Sequence, residues 1–273
     1  MNKKNFYKSY SIGIIGATGK MGKEIISELN INSTYTILDK QIILTLGPSY
    51  SSSSKFNIKE VFESNDCIID FSNKSLLNLI LDTVENNPKP LIIGTTGWDP
   101  NDFSDKLKRC SNLTPIIIAP NTSIGSFAQK FISLQLASII GEYSDIDILE
   151  RHHRNKKDSP SGTALELKRS LEEKLKYNNK NSNKSSNLIP ILSCRSGSIV
   201  GEHTINFTTD NEMITITHRV FDRKAFVQGV IKSVLWLLCK ELYFQNNLSE
   251  NCIDGVSISA TPGLYTIDNV LEL

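Results

Sequence analysis

Residues 11–22, Ser-Ile-Gly-Ile-Ile-Gly-Ala-Thr-Gly-Lys-Met-Gly, decide the fold class of this chain. A short β-branched run, Ser11–Ile15, leads into a turn with a glycine at every third position from Gly16 to Gly22, and Lys23–Leu29 then has the apolar spacing of a helix. Glycines between a strand and a helix allow a tight turn and a close approach of a pyrophosphate to the backbone. The stretch therefore predicts a dinucleotide-binding turn.

Similar segments follow along the first part of the chain. Short apolar runs that predict strands occur at Tyr35–Leu38, Ile68–Phe71, Leu91–Ile93 and Ile116–Ala119, with a predicted helix at Ser75–Glu85. Apolar strands that alternate with helices are typical of a parallel sheet covered by helices on both faces. The spacing predicts an α/β fold with a Rossmann-like nucleotide domain.

The pattern changes after residue 187. Ile189–Leu192, Gly197–Phe207 and Met213–Arg219 resemble strands without helices between them, and a helix-like segment, Phe226–Tyr243, follows. This change predicts a central α+β domain with a mixed or antiparallel sheet. We expect residues 1–122 and 233–273 to form the dinucleotide-binding domain and residues 123–232 a second, central domain. The polar stretches 47–57 and 177–187 are predicted to be surface loops.

The composition excludes several classes of protein. The chain has 273 residues, a formal net charge of +1, 39% hydrophobic and 22% charged residues, so neither disorder nor binding of polyanions by bulk charge is expected. Five scattered cysteines without a CxxC motif argue against a disulfide framework and a thiolate metal site. Without a signal-like or membrane-spanning segment, a cytoplasmic protein that binds neither metal nor membrane is expected.

An acidic residue strengthens the dinucleotide interpretation. Asp39 lies at the end of the second predicted strand, twenty residues beyond Gly19, where a carboxylate could hydrogen-bond the adenosine ribose. Lys40 could instead contact a 2′-phosphate, so the choice between NADH and NADPH stays open. Three further strand ends carry small or hydroxyl-bearing residues, namely Asp70–Ser72, Gly94–Gly97 and Ala119–Ser123. Ligands of open α/β sheets bind at such carboxyl ends.

The segment 150–163, Glu-Arg-His-His-Arg-Asn-Lys-Lys-Asp-Ser-Pro-Ser-Gly-Thr, is the sharpest candidate for chemistry. Helical apolar spacing follows it, which places Pro160–Thr163 at a helix N-terminus, where free N–H groups favour an anion. Histidines and lysines add protons and positive charge, which suits a dicarboxylate. Taken alone, the run is also compatible with a solvated basic loop or a nucleic-acid contact. For His203 and His218, a structural role is the default.

Together these motifs resemble the dihydrodipicolinate reductase family almost from end to end, and the HHxxK…PSGTA pattern is the most specific of them. The resemblance implies that residues 123–232 form the domain for substrate binding and oligomerisation of a homotetramer. It also implies transfer of hydride from NADH or NADPH to a cyclic imine dicarboxylate, with loss of water. His152 matches a proton donor or acceptor, Lys156 a proton donor, and His153, Gly162 and Thr163 substrate contacts. The matching cofactor contacts are Gly16, Ala17, Thr18, Gly19, Lys20, Met21, Asp39, Gly94, Thr95, Thr96, Ala119, Pro120, Asn121 and Thr122.

Thr122 departs from the family, whose members usually carry an aromatic residue there. Three alternatives compete with the reductase: a non-catalytic NAD(P)-sensing protein, a nucleic-acid binder that uses residues 151–157, and a dehydrogenase with a nucleophilic cysteine. The His152–Lys156 pair argues against the first. No aromatic residue is interleaved with the basic run, and no cysteine lies in a glycine- or histidine-rich motif. The sequence thus favours a small-molecule reductase.

Overall fold

The computed structural model describes residues 6–37, 40–53, 55–178, 189–244 and 260–271, so Asp39 and most of the polar stretch 177–187 lie outside the described residues. The chain divides into two compact units. Unit 1 comprises Met1–Thr122 and Phe226–Leu273, and unit 2 comprises Ser123–Ala225. Among the described residues, no helix has both the length and the apolar character needed to cross a membrane.

Unit 1 contains a seven-stranded sheet. Its strands are β1 (Phe6–Ile15), β2 (Thr34–Ile37), β3 (Lys40–Leu46), β4 (Cys67–Asp70), β5 (Leu91–Ile93), β6 (Pro115–Ile118) and β11 (Gly263–Thr266), in the spatial order β11-β6-β5-β4-β1-β3-β2. Its helices are α1 (Lys20–Ile31), α2 (Ile58–Ser64), α3 (Leu77–Asn86), α4 (Ser104–Ser111), α7 (Lys224–Phe244) and α8 (Ile267–Val270). All neighbours pair in parallel except β2 and β3.

Helices cover both faces of this sheet, as the apolar strands predict. One buried cluster joins strand side chains such as Ile12 and Ile69 to α1 and to Trp236 of α7. A second cluster, which includes Ile68 and Phe62, joins the opposite face to α2, α3 and α4. Successive strand residues point to opposite faces, so a strand buried on both sides is continuously apolar. The predicted Rossmann-like α/β fold is confirmed.

The strand beside β1 differs from the expected one. The predicted second strand is present as β2, but it is an antiparallel edge strand, and β3, which the sequence reasoning missed, lies between it and β1. Ile37 pairs with Lys40, and Gln41 pairs with Phe6 at the amino end of β1. Nine residues separate Phe6 from the carboxyl end of β1, a span of about 30 Å. β2 therefore does not end at the edge of the sheet where the glycine turn lies.

Unit 2 contains a four-stranded mixed sheet and two long helices. Its strands are β7 (Asp145–His152), β8 (Ile191–Arg195), β9 (Gly201–Thr208) and β10 (Met213–Val220), in the order β10-β9-β7-β8, and its helices are α5 (Ile124–Ile140) and α6 (Gly162–Asn178). β7 and β8 pair in parallel and the other neighbours antiparallel. Ala164, Leu167 and Leu171 of α6 pack on Ile148 and Ile205 of the sheet. The predicted mixed sheet is confirmed.

Candidate active site

The glycine turn of unit 1 fits the pyrophosphate of a dinucleotide. Gly16 has φ +94°, and a Cβ atom there would lie 2.5 Å from the Phe71 carbonyl oxygen. A Cβ atom on Gly22 would lie 2.3 Å from the Gly16 carbonyl oxygen, so neither position accepts a side chain. α1 begins directly after the turn at Lys20, with Gly19 as its N-cap. The first N–H groups of a helix lack intrahelical partners and favour an anion.

Residues 47–50, expected to form a surface loop without chemistry, lie beside this turn. The Tyr50 carbonyl oxygen accepts hydrogen bonds from the amides of Gly16 at 2.9 Å and Ala17 at 3.1 Å. The Ile14 amide donates to Ser49 Oγ at 3.1 Å. The chain after β3 therefore continues along β1 to its carboxyl end, and the serine-rich segment that follows starts at the glycine turn.

The remaining predicted cofactor contacts follow β5 and β6 at the same edge. The Gly94 amide donates to the Asp70 carbonyl oxygen at 2.8 Å, and the Ala119 amide donates to that of Ile93 at 2.9 Å, which aligns the ends of β4, β5 and β6. Thr96 and Pro120 are exposed, whereas Thr95 is buried. The structure thus brings two of the predicted contact groups together at the carboxyl ends of adjacent strands.

Thr122 is buried within unit 1. It is 2% exposed, and its hydroxyl donates to the Phe226 carbonyl oxygen at 2.8 Å. Gly229 lies directly against the backbone of Thr122, since a Cβ atom there would fall 1.7 Å from the Thr122 carbonyl oxygen. The Thr122 side chain therefore joins the end of the segment after β6 to the start of α7.

Asp70 is a buried acid beneath this edge. Its Oδ1 accepts hydrogen bonds from the Ser72 amide at 3.0 Å and the Ser72 hydroxyl at 2.5 Å. Burial raises the pKa of Asp70, while hydrogen bonds from Ser72 and Thr95 act in the opposite direction. The acid holds the turn after β4 in place, a positioning role that the sequence reasoning did not assign.

In unit 2, the strand β7 carries Glu150 and His152 on its inner face. Residues alternate along the strand, so Ile146, Ile148, Glu150 and His152 all point toward the helices and are buried. Glu150 pairs with His203 of β9, and His152 pairs with Arg195 of β8. The register therefore gathers four polar side chains in one layer of the sheet.

Glu150 is the centre of this layer, which with Ser161 we call the buried polar cluster. Its side chain is fully buried and accepts two hydrogen bonds from Arg195, from Nη1 to Oε2 at 2.9 Å and from Nη2 to Oε1 at 2.7 Å. His152 Nδ1 lies 2.5 Å from Glu150 Oε2, and the Ser161 amide donates to Oε1 at 3.3 Å. Burial by itself raises the pKa of Glu150, but hydrogen bonds from Arg195, Ser193 and His152 outweigh it and lower that pKa to about 2.

The histidines of the cluster are neutral at neutral pH. Burial lowers the pKa of His152; Glu150 opposes this change, and the positive charges of Lys156 and Arg195 add to it. Burial and the neighbouring His152 lower the pKa of His203 to about 3. His203 Nε2 lies 3.0 Å from Ser161 Oγ, and the two histidine rings meet edge to face at 5.2 Å between centroids.

The loop between β7 and α6 contains the other predicted site residues. Lys156 Nζ lies 2.8 Å from Asp158 Oδ2, and the Lys156 amide donates to the His153 carbonyl oxygen at 3.0 Å. Ser161 caps α6, because its hydroxyl accepts from the Ala164 amide at 3.2 Å. Gly162 is exposed, and a Cβ atom added there would meet no other atom within 4 Å. Space for a ligand is therefore present at the helix start.

Sequence reasoning missed the roles of Glu150, Arg195 and Ser161 in this cluster. The signal available for Glu150 was an E-x-H pattern at the end of a strand whose alternate residues are apolar. Arg195 is 45 residues away along the chain, and only the pairing of β7 with β8 brings it there. Within the described ranges, His, Cys, Asp and Glu side chains form no group of three that could hold a metal ion.

A parallel sheet with a glycine turn is typical of a dinucleotide-binding protein, and the buried carboxylate–histidine pair of the mixed sheet is typical of an enzyme site. The family model for the N-terminus of dihydrodipicolinate reductase matches residues 10–122, and the model for its C-terminus matches residues 128–271. The chain belongs to the dihydrodipicolinate reductase family.

Relatives and a solved structure agree with this assignment. A Chlamydia caviae protein named 4-hydroxy-tetrahydrodipicolinate reductase is 37% identical over 234 residues, which cover 83% of this chain and 92% of that protein. A Helicobacter hepaticus protein of the same name is 34% identical and covers 96% of this chain and 99% of its own length. The structure of dipicolinate-bound dihydrodipicolinate reductase from Paenisporosarcina sp. TG-14 has the same fold, with a TM-score of 0.62, 22% identity and coverage of 84% and 94% of the two chains.

Proposed function

We propose that this chain reduces (2S,4S)-4-hydroxy-2,3,4,5-tetrahydrodipicolinate to tetrahydrodipicolinate, with loss of water, in the diaminopimelate route to lysine. Membership of the dihydrodipicolinate reductase family over nearly the whole chain carries this proposal. The buried polar cluster beside a basic loop supports it, because such a site suits a substrate with two carboxylates and a proton to be transferred. A protein that only senses NAD(P) would not need this combination.

The residues of unit 2 perform the proton chemistry in this proposal. Loss of the 4-hydroxyl together with a proton from the adjacent ring carbon releases water and leaves a conjugated imine. A bound nicotinamide would supply a hydride to that imine, and a nearby acid would protonate the electron pair that this leaves on the ring. Lys156 is the proton donor, and His152 is the group that donates or accepts a proton at the same substrate. Both lie at the end of β7 or in the loop that follows it.

Substrate binding is assigned to the start of α6 and the loop before it. Gly162 and Thr163 present backbone N–H groups and a hydroxyl, and the helix dipole adds a positive potential that stabilises a carboxylate. His153 is assigned to the second carboxylate. Preorganised donors of this kind also stabilise the negative charge that develops on the substrate during reduction.

The nicotinamide cofactor is assigned to the carboxyl edge of the unit 1 sheet. The glycine turn, Gly16–Met21, would hold the pyrophosphate, and Gly94–Thr96 and Ala119–Thr122 would contact the nicotinamide half. Because Thr122 uses its hydroxyl within the protein, we assign its contact to the backbone.

The adenosine ribose is better assigned to the segment after β3 than to Asp39. β3 is the parallel neighbour of β1, and the chain that follows it reaches the glycine turn at Tyr50. Residues 47–55, Gly-Pro-Ser-Tyr-Ser-Ser-Ser-Ser-Lys, contain no acid that would repel a 2′-phosphate. Ser52, Ser53 and Lys55 are exposed there. Hydroxyls and a lysine suit a 2′-phosphate, so of NADH and NADPH we infer a preference for NADPH.

We further infer a cytoplasmic homotetramer, in which residues 1–122 and 233–273 bind the nucleotide and residues 123–232 bind substrate and assemble the subunits. Large apolar side chains on both edge strands of the unit 2 sheet support assembly: Leu192 of β8 is 58% exposed and Met213 of β10 is 60% exposed. Light scattering coupled to size exclusion measures the mass directly. A monomer at micromolar concentration would contradict this inference.

The decisive experiment supplies freshly generated hydroxy-tetrahydrodipicolinate to the purified chain and follows the loss of nicotinamide absorbance. We expect turnover with at least one of NADH and NADPH, and identification of tetrahydrodipicolinate as the product. Oxidation of neither cofactor by a folded protein that binds nucleotide would contradict the proposed function.

A further inference from the structure

His152 and its hydrogen-bond partner, Glu150, lie on the same strand. Because Glu150 and His152 are two residues apart on β7, both side chains point to the same buried face. His152 Nδ1 and Glu150 Oε2 lie 2.5 Å apart. An ionised carboxylate only accepts hydrogen bonds, so Nδ1 must carry the proton of this bond. The contact therefore selects one tautomer of the neutral ring.

Glu150 is itself fixed from two other directions. Arg195 binds both of its oxygens, and the Ser161 amide donates to Oε1. Arg195 is in turn held by the carbonyl oxygens of Cys194 at 2.8 Å and Asp158 at 2.6 Å. A bidentate arginine–carboxylate pair restricts both position and rotation. The carboxylate cannot turn away from His152 without breaking this pair.

The other ring nitrogen of His152 is directed toward Gly201, at the start of β9. A Cβ atom on Gly201 would lie 3.2 Å from His152 Nε2, so the absence of a side chain at Gly201 keeps open the space that this nitrogen faces. Within the described part of the chain, Nε2 has no hydrogen-bond partner, whereas Nδ1 is fully engaged. Nδ1 thus binds within the protein, whereas Nε2 is the nitrogen that a ligand could contact.

We propose that Glu150 and Arg195 are positioning residues, which hold His152 in the Nδ1–H tautomer so that Nε2 is the atom that exchanges a proton with the substrate. Since this task of Nε2 rests on the proposed function, the tautomer must be measured separately from turnover. Neither Glu150 nor Arg195 touches the substrate in this proposal.

The same carboxylate also fixes the start of α6. Ser161 links Glu150 Oε1, through its amide, to His203 Nε2 and the Ala164 amide, through its hydroxyl. Gly162 and Thr163 follow directly. Loss of the Glu150 carboxylate is therefore expected to disturb both the proton-transferring ring and the helix start assigned to the substrate, which would lower kcat and raise KM together.

The direct test is nitrogen-15 NMR of His152 in the full-length protein, with Glu150→Gln as the variant. We expect wild-type His152 to be protonated on Nδ1 at neutral pH, and the variant to show a mixture of tautomers. Glu202→Gln is the matched control, because Glu202 is a buried acid of the neighbouring strand β9 that binds Arg219 and Arg151 instead. The control should leave the His152 signals unchanged.

The pKa of His152 gives a second readout. The groups that face it are Glu150 on its own strand, Arg195 of β8, His203 of β9, and Lys156 in the loop after β7. Of these, only Glu150 favours the protonated ring, so Glu150→Gln should lower the pKa of His152 further. In turnover, we expect kcat to fall about 10- to 100-fold, by analogy with other residues that orient a catalytic histidine.

Glu150→Gln leaves Arg195 without its partner and could unfold unit 2, so a double variant, Glu150→Gln with Arg195→Met, accompanies it. Removing both charges avoids the uncompensated buried charge that makes removal of one partner strongly destabilising. We expect the double variant to melt near the wild-type temperature but to keep the mixed tautomer and the low kcat. Recovery of wild-type kcat, or a wild-type His152 that carries its proton on Nε2, would overturn the proposal. The NMR result stands even if the proposed substrate is wrong.

Discussion

Lys156 and Asp158 form an ion pair within one loop, with Nζ and Oδ2 2.8 Å apart. The pair lies between the end of β7 and the start of α6, next to the buried polar cluster. Burial raises the pKa of Asp158, but the hydrogen bond and charge of Lys156 outweigh it and lower that pKa. Asp158 therefore stays ionised at neutral pH and restrains the ammonium group of the proposed proton donor.

Lys156→Met should lower kcat without weakening nucleotide binding. A positioned general acid contributes about 10²- to 10⁴-fold to rate, so we expect a loss of about 100-fold or more. Stopped-flow turnover and fluorescence titration with NADPH measure the two quantities. Lys157→Met is the matched control, because Lys157 is exposed and adjacent. Equal losses of turnover and nucleotide affinity would assign Lys156 to binding instead.

Lys55→Ala should weaken NADPH binding by about tenfold and leave NADH nearly unaffected, because one charge-assisted hydrogen bond to the 2′-phosphate is lost. Lys40→Ala is the matched comparison: it tests the alternative that the ribose lies near Asp39. Calorimetric titration with 2′,5′-ADP and with 5′-AMP isolates the 2′-phosphate from the rest of the cofactor. If only Lys40→Ala changed the ratio of the affinities for 2′,5′-ADP and 5′-AMP, the adenosine ribose would be assigned to Asp39 and Lys40 instead.

Gly201→Ala should reduce turnover by displacing the His152 ring. The new Cβ atom would lie 3.2 Å from Nε2, so the ring must shift by a few tenths of an ångström. Gly125→Ala is an informative comparison, since its Cβ atom would meet His218 Nε2 at 2.6 Å. We expect the second variant to lower stability while its pH–rate profile keeps the wild-type shape. An unchanged kcat in Gly201→Ala would show that the ring position is not critical.

The stability of the protein should fall on mild acidification because of His203. Its pKa is about 3 in the folded protein against an ordinary 6.5. As the pH falls below 6.5 the unfolded chain takes up a proton that the folded chain does not, so stability is lost progressively toward pH 3. By pH 5 this amounts to about 2 kcal/mol.

Urea unfolding at pH 7 and pH 5 measures this loss. His203→Gln should reduce the difference between the two pH values but not abolish it, because burial also lowers the pKa values of His152 and His218. Glu150 also contributes to the loss of stability on acidification, but at lower pH, since folding lowers its pKa from 4.5 to about 2. A pH dependence that is identical in wild type and His203→Gln would contradict the assigned burial of His203.

Much of the nucleotide-binding unit could be predicted because its signals are local. A buried parallel strand such as Leu91–Ile93 is continuously apolar, and the glycine turn lies within seven residues. β3 was missed because nothing local decides whether Thr34–Ile37 or Lys40–Leu46 pairs with β1. That pairing depends on contacts across the whole sheet, and it is the basis on which we propose another segment for the ribose contact.

The residue types of the basic loop predicted a site there, but they did not predict the contacts that position its side chains. His152 and Lys156 stood out because histidines and cations are concentrated there. The support for His152 comes from Glu150, two residues earlier on the same strand, and from Arg195 and His203 on strands that join only in the folded sheet. A pattern of residue types along the chain does not encode such a register.

The position of β11 has a consequence for how the chain matures on the ribosome. β11 completes the sheet beside β6, yet its residues 263–266 are synthesised more than 140 positions after Ile118. Unit 2 is continuous in sequence, so its core needs no residue beyond Ala225, whereas the sheet of the nucleotide-binding unit is complete only once β11 has been synthesised. We therefore expect the nascent chain to have an open sheet edge beside β6 until β11 emerges, and expect loss of β11 to leave that edge open to aggregation.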